Sequence, residues 1–191
     1  NPDNQIVATV VEDDVAFGPE NMGIPSQEIR KRVDDALAVV RMSEFSTKAP
    51  HLLSGGQKQK VAIAGIIAMK PDCIILDEST SMLDPRGRKE VMSTVKKLNK
   101  EENITLIHIT HFMEEAVDAD YIYVMEEGEI VLEGTPKKVF VNIEQLQNLG
   151  LDVPPMTLLS SELRKHDIQI SQDILTVEEM IDKLCQLKSQ I

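Results

Sequence analysis

Ile29, Val33, Leu37 and Val40 recur at helical spacing, which predicts a helix of about four turns beginning at a Ser26 cap. Its other face, with Glu28, Arg30, Lys31, Asp34 and Asp35, reads as solvated. Upstream, Thr9 and Glu12 match a capping box for a short helix to about Phe17, with Gly18-Pro19 as its stop. A short helical turn over Ser43–Thr47 is expected to break at Pro50, so residues 9–50 read as a compact, mostly helical insertion. Gln57 to Met69 is apolar on most sides and predicts a largely buried helix. Cys73–Leu76 is a continuous apolar run of strand length, the pattern of a parallel strand buried on both faces, and it ends in Asp77-Glu78. Asp84-Pro85 supplies an N-cap and a first-turn proline for a helix to about Asn99. Ile104–Thr110 is a second β-branched strand, followed by His111. After a helix over Met113–Ala119, strands at Tyr121–Met125 and Ile130–Glu133 flank a tight turn at Glu127-Gly128-Glu129. Strands alternating with helices indicate an α/β domain with a mainly parallel sheet. From residue 136 the pattern is helical: a cap at Thr135-Pro136, then Asn142–Leu149, Met156–His166 and, after a Thr176/Glu179 capping box, Val177–Lys188.

Composition narrows the function classes. At 42% apolar residues, the 191-residue chain can bury a sizeable core, although only 3% are aromatic and Ile, Val, Leu and Met must fill it. A net charge of −12 argues against a nucleic-acid-binding surface, which needs a basic patch. The longest apolar run, Val61–Met69, is about half of what a membrane span requires, and no secretory leader pattern opens the chain. Cys73 and Cys185 stand alone, which fits a reducing compartment better than a disulfide framework.

The candidate chemistry centres on Leu53-Ser54-Gly55-Gly56-Gln57. Backbone N–H groups at a helix start have no internal partners and carry the positive end of the macrodipole, so a glycine pair there suits an anion, phosphate above all. The simpler reading is a Gly-Gly turn that merely starts a helix. Asp77 and Glu78 lie where α/β folds place ligand-handling groups, beyond the carboxyl end of a parallel strand. Because consecutive strand residues point to opposite sides, one carboxylate can serve a hydrated Mg²⁺ while the other faces an attacking water. They could also be two acids that end a strand in solvent. His111 lies at the same end of the second strand, where an imidazole can donate to a phosphate oxygen. His108 reads as a packed strand residue, His51 and His166 have no companions, and no His/Cys cluster has metal-ligand spacing.

In this order the motifs resemble the ATP-binding cassette (ABC) ATPases. Leu53–Gln57 is similar to the signature motif, Ile74–Glu78 to the Walker B strand, Ser81–Asp84 to the D-loop and His111 to the switch histidine. The resemblance runs from Asn1 to about Val139. Asn1–Gln5 resembles the segment after the Q-loop glutamine in cobalt-type and energy-coupling-factor importers of vitamins and metal ions. Ser79, where most ABC proteins have proline, and the Pro154-Pro155 appendix point the same way. The resemblance implies a P-loop NTPase fold, with residues 1–135 forming part of the ATPase domain (helical subdomain 9–50, motif-bearing core 51–135) and 136–191 a helical appendix.

It also implies ATP and Mg²⁺, two ATPase subunits sandwiching two nucleotides, and a transmembrane coupling subunit gripped by the helical subdomain at the cytoplasmic face of the membrane. Glu78 would be the general base, Asp77 the Mg²⁺ group, and His111 a contact to the γ-phosphate. Leu53, Ser54, Gly55, Gly56 and Gln57 would complete the partner's nucleotide site, Ser81 would belong to the nucleotide-binding residues, and Asp84 would link the two sites. Other classes of the family, translation or DNA-repair factors and catalytically silent partner subunits, remain alternatives. No Gly-x-x-x-x-Gly-Lys-Ser/Thr loop occurs, and none of the nine glycines precedes a lysine. The chain is therefore expected to be the C-terminal portion of a longer polypeptide, unable to bind ATP appreciably alone, with strands whose neighbours lie upstream.

Overall fold

The computed structural model describes residues 6–81 and 83–188. The opening Asn1–Gln5 segment and Met82 of the D-loop, both used above, lie outside them. The chain divides between Ile109 and Thr110 into two compact units. This division falls earlier than the 135/136 boundary expected from the motifs.

In the first unit, α1 (Val11–Asn21) and α2 (Ser26–Val39) pack on α3 (Gly55–Ala68). Val11, Val15, Val33, Ala36, Leu37, Val61, Ile63 and Ala64 are buried between them. Two expectations for α1 are corrected. Thr9 makes no capping box; the N-cap is Val10, without a side-chain bond, and the Asp14 carboxylate accepts from the Val7 and Ala8 N–H groups instead. Gly18-Pro19 does not end the helix either, since α1 continues to Asn21 with Pro19 buried inside it. Pro19 removes one backbone donor near the end of the helix, where little of the ladder remains to be broken. Gly18 serves close packing: a Cβ there would stand 2.7 Å from Met69 Sδ. At α2 the N-cap is Pro25, and Ser26 is the first helical residue rather than the cap. Arg30 bridges α2 to Glu12 of α1 at 3.2 Å. The expected turn after α2 is a 3₁₀ turn, Ser43–Phe45, and Pro50 begins a second, Pro50–Leu52, that delivers the chain to α3.

Strand β1 (Cys73–Asp77) pairs in parallel with β2 (Thr105–Ile109), Cys73 opposite Thr105 and Asp77 opposite Ile109. Between them runs α4 (Pro85–Glu102), longer than expected and ended by Asn103 in the left-handed conformation. The expected burial of the strand is met on one face only, and the apolar exposure expected of strands whose neighbours lie upstream is seen on the other. Ile74 and Leu76 join Val91, Val95 and Leu98 of α4 in the core, but Ile75 is 61% exposed and Ile107 and Ile109 lie open on the same sheet. The helices of this unit cover only one face of the two strands.

In the second unit, a short α5 (Met113–Ala116) precedes the antiparallel hairpin β3 (Ile122–Glu126) and β4 (Glu129–Gly134). Its turn residues Glu127 and Gly128 both have positive φ, +48° and +87°, as a two-residue hairpin turn of the right twist requires. Helices α6 (Pro136–Phe140), α7 (Ile143–Asn148), α8 (Pro155–Lys165) and α9 (Val177–Lys188) follow. Val124, Val139, Phe140, Leu146, Val153 and Leu175 form this unit's main core, so the hairpin packs with the C-terminal helices. At the start of α9, Thr176 Oγ1 accepts from the Glu179 N–H, while the Glu179 carboxylate accepts from Leu175 N–H, one residue earlier than in a standard box. Neither cysteine forms a disulfide among the described residues, and both are exposed. Among the described residues no helix is long and apolar enough to cross a membrane.

Candidate functional site

Helix α3 begins with a complete capping box. Gln57 N–H donates to Ser54 Oγ at 3.3 Å, and Ser54 N–H donates to Gln57 Oε1 at 2.9 Å. The Ser54 N–H is therefore engaged, a correction to the expectation that N–H groups at this helix start have no internal partners. The N–H groups of Gly55 and Gly56 have no hydrogen-bond partner among the described residues. Ser54 Oγ accepts within the chain, which leaves its hydroxyl hydrogen to donate outward. Leu53 is buried and anchors the motif in the core.

Among the described residues nothing demands the glycine pair. Neither residue has a positive φ, and a Cβ on either would meet Leu83 or Gly87 only at 3.8–4.0 Å, an ordinary contact. A turn that merely started a helix would not need glycine at both positions. Glycine at both positions leaves room for close approach to the backbone there.

The D-loop stands beside this helix start. Leu83 lies against Gly55 and Gly56, and Asp84 N-caps α4 by accepting from Gly87 N–H at 2.8 Å. Gly87 was not singled out from the sequence; its signal was a glycine in the first turn of a helix, where propensity disfavours it. A second link, Lys60 Nζ to Glu90 Oε2 at 2.6 Å, ties α3 to α4 and holds the Glu90 carboxyl below its ordinary range.

Asp77 closes β1, and Glu78 follows it with a φ of +45°. The chain leaves the strand at Glu78 in a left-handed conformation, whereas the expectation from strand alternation assumed extended backbone at both residues. Such a conformation is uncommon for a non-glycine residue and concentrates at functional sites. It is held by Glu78 N–H donating to Ile109 C=O at 3.0 Å and by Ser81 N–H donating to Glu78 C=O at 3.1 Å. Both acids and Ser81 are exposed. Among the described residues no three His, Cys, Asp or Glu side chains group to hold a metal. An exposed carboxylate such as that of Asp77 is the kind of group Mg²⁺ takes beside phosphate oxygens, since this ion keeps several waters. His111 is exposed and stacks on Phe112 at 4.2 Å, two residues beyond β2 and in the second unit.

Residues 3–81 match the ABC transporter family model, and residues 157–190 match that of the energy-coupling factor transporter EcfA1 C-terminal domain. The energy-coupling factor transporter ATP-binding protein EcfA1 of Caldanaerobacter subterraneus is 66% identical over 97% of this chain and 67% of its own length. That of Clostridioides difficile is 67% identical over 98% of this chain and 68% of its length. The chain belongs to the energy-coupling factor transporter ATP-binding proteins. This family is a branch of the ABC ATPases, which bind ATP with Mg²⁺. The chain spans about two thirds of the length of these relatives. Among solved structures, cbiO1 of Clostridium perfringens, described as part of the ABC transporter complex cbiONQ, aligns with a TM-score of 0.70 at 43% identity. It covers 78% of this chain and 60% of that one. The cassette MJ0796, a dimer bound to ADP and Pi, aligns with a TM-score of 0.59 at 31% identity, over 69% of this chain and 59% of its own. The α/β fold of an ABC ATPase is thus that of this chain, with helices at its C-terminal end.

Proposed function

We propose that this chain is the signature-motif and Walker B portion of an ATP-hydrolysing subunit that powers an energy-coupling-factor importer of vitamins or transition-metal ions. One observation carries the reading: two glycines at the start of α3 whose N–H groups have no partner, and whose bareness no contact requires, among the described residues.

In this reading Ser54, Gly55 and Gly56 receive the γ-phosphate of an ATP held on a second ATPase subunit, so the motif acts in trans. Leu53 and Gln57 fix the helix start that aims them. In cis, Glu78 is the general base that takes a proton from the attacking water, and Asp77 contributes an outer-sphere oxygen to Mg²⁺. When bound, Mg²⁺ neutralises charge on the phosphates. His111 donates to the γ-phosphate, and Ser81 and Asp84 relay the state of one site to the other across the dimer. Catalysis by positioning and fixed dipoles is what phosphoryl transfer needs, since little covalent chemistry falls to the protein. The helical subdomain, residues 9–50, meets a transmembrane coupling subunit and places the protein peripherally on the cytoplasmic face of the membrane. The core, 51–135, carries the chemistry, and residues 136–191 form the appendix.

Replacing Glu78 by Gln in the full-length protein tests this reading. ATP-dependent dimerisation is expected to persist while turnover falls by a factor of about 10² or more, the scale of a lost general base. Unchanged turnover would remove Glu78 from that role.

A further inference from the structure

We infer that Gly87 is a positioning residue: it sets the Asp84 carboxylate and, through it, the communication between the two nucleotide sites. The inference rests on the D-loop role proposed for Asp84.

Gly87 is the third residue of α4, with no positive φ, so its backbone conformation makes no demand for glycine and alanine would be the better helix former. The demand comes from its neighbours. Its N–H donates to Asp84 Oδ1 at 2.8 Å, and a Cβ at Gly87 would stand 2.8 Å from that same oxygen. Real Cβ atoms do not approach an oxygen this closely, so a methyl group at Gly87 requires the Asp84 carboxylate to shift from the position in which it caps α4. The same Cβ would lie 3.5 Å from Leu83 Cβ. On its other side, Gly87 Cα lies 3.8 Å from where a Cβ of Gly56 would be. One bare Cα therefore stands where the helix carrying the signature motif meets the helix carrying the D-loop. With the cap in place, one carboxylate oxygen of Asp84 is spent on α4, which fixes the direction of an exposed side chain. A methyl group at Gly87 turns that side chain away without touching nucleotide.

The experiment is a double-mutant cycle in the full-length protein assembled as its ATPase dimer: Asp84→Ala, Gly87→Ala and the two together, read as kcat and KM for ATP. Gly87→Ala is expected to lower kcat about fivefold or more with KM changed less than about twofold, and to do almost nothing further in the Asp84→Ala background. A residue that merely supported the fold would cost the same in both backgrounds, and that result overturns the inference. So does an unchanged kcat for Gly87→Ala when Asp84→Ala is impaired. A silent Asp84→Ala removes the D-loop role itself, and the inference with it. Should Gly87→Ala lose thermal stability, the cycle is also read in Tm: Gly87→Ala must cost little further Tm in the Asp84→Ala background, which already lacks the cap, and an equal further loss again overturns the inference.

Discussion

The backbone N–H of Glu78 donates to the carbonyl of Ile109 at 3.0 Å, tying the residue after β1 to the last residue of β2. The bond continues the parallel ladder by one residue while the chain turns left-handed, at a φ of +45°. Glu78 is thus placed by the backbone before its carboxylate contacts anything.

The left-handed conformation has a measurable cost. Asn tolerates it, whereas a β-branched residue does not. Glu78→Val is expected to be less stable than Glu78→Asn by about 1–2 kcal/mol in chemical denaturation. Equal stabilities would show that the site does not hold this backbone in solution.

Gly55→Ala and Gly56→Ala separate folding from function at the helix start. Each new methyl finds ordinary contacts within the chain, and alanine favours a helix over glycine, so each variant should gain up to about 1 kcal/mol of stability. Both should nonetheless hydrolyse ATP more slowly, because the methyl occupies the approach of the phosphate. Full turnover with raised stability would return the motif to a plain helix start.

Gln57 divides similarly. Gln57→Ala deletes the acceptor for Ser54 N–H and should cost about 1 kcal/mol, as lost caps do. Gln57→Glu restores that acceptor and suits the helix dipole, so stability should return, but its charge opposes phosphate and turnover should stay low. Melting temperature and ATPase rate, measured on both variants, check the two halves.

Acid should loosen the second unit through Glu179. Leu175 N–H donates to its carboxylate at 2.8 Å and Lys137 Nζ lies 2.8 Å from it; the backbone bond foremost, then Lys137, hold its pKa below the ordinary 4.5. Lys137 is correspondingly raised, chiefly by its bond to Glu179. A carboxyl lowered on folding stabilises above its unfolded pKa and loses that stabilisation as pH falls through its folded one. The wild type should therefore lose Tm faster than Glu179→Gln below about pH 4.5 and exceed it at neutral pH. Superimposable pH profiles would contradict this.

Legibility in the sequence followed how local the cause was. Asp84-Pro85, the Glu127-Gly128 turn and the α3 face are fixed by neighbours in the chain, and each stands as read. Gly18-Pro19 misled because its glycine answers Met69, more than fifty residues away, and not a helix end. The Cys73–Leu76 run read as buried on both faces, but burial depends on what covers it, and only α4 and its neighbours do so here. At the site, residue types and order were legible. The engaged Ser54 N–H, the left-handed Glu78 and the role proposed for Gly87 were not, because each depends on side-chain or backbone geometry three to thirty-one residues away.

The claim that Gly55 and Gly56 serve a nucleotide held by another subunit is tested most directly in a dimer in which one subunit alone carries Gly55→Asp. A photoreactive ATP with a labelled γ-phosphate, crosslinked after one turnover, reports which subunit holds uncleaved nucleotide. The account predicts that uncleaved ATP stays on the unmutated partner while the mutated subunit's own nucleotide is hydrolysed. Uncleaved ATP confined to the mutated subunit would contradict it.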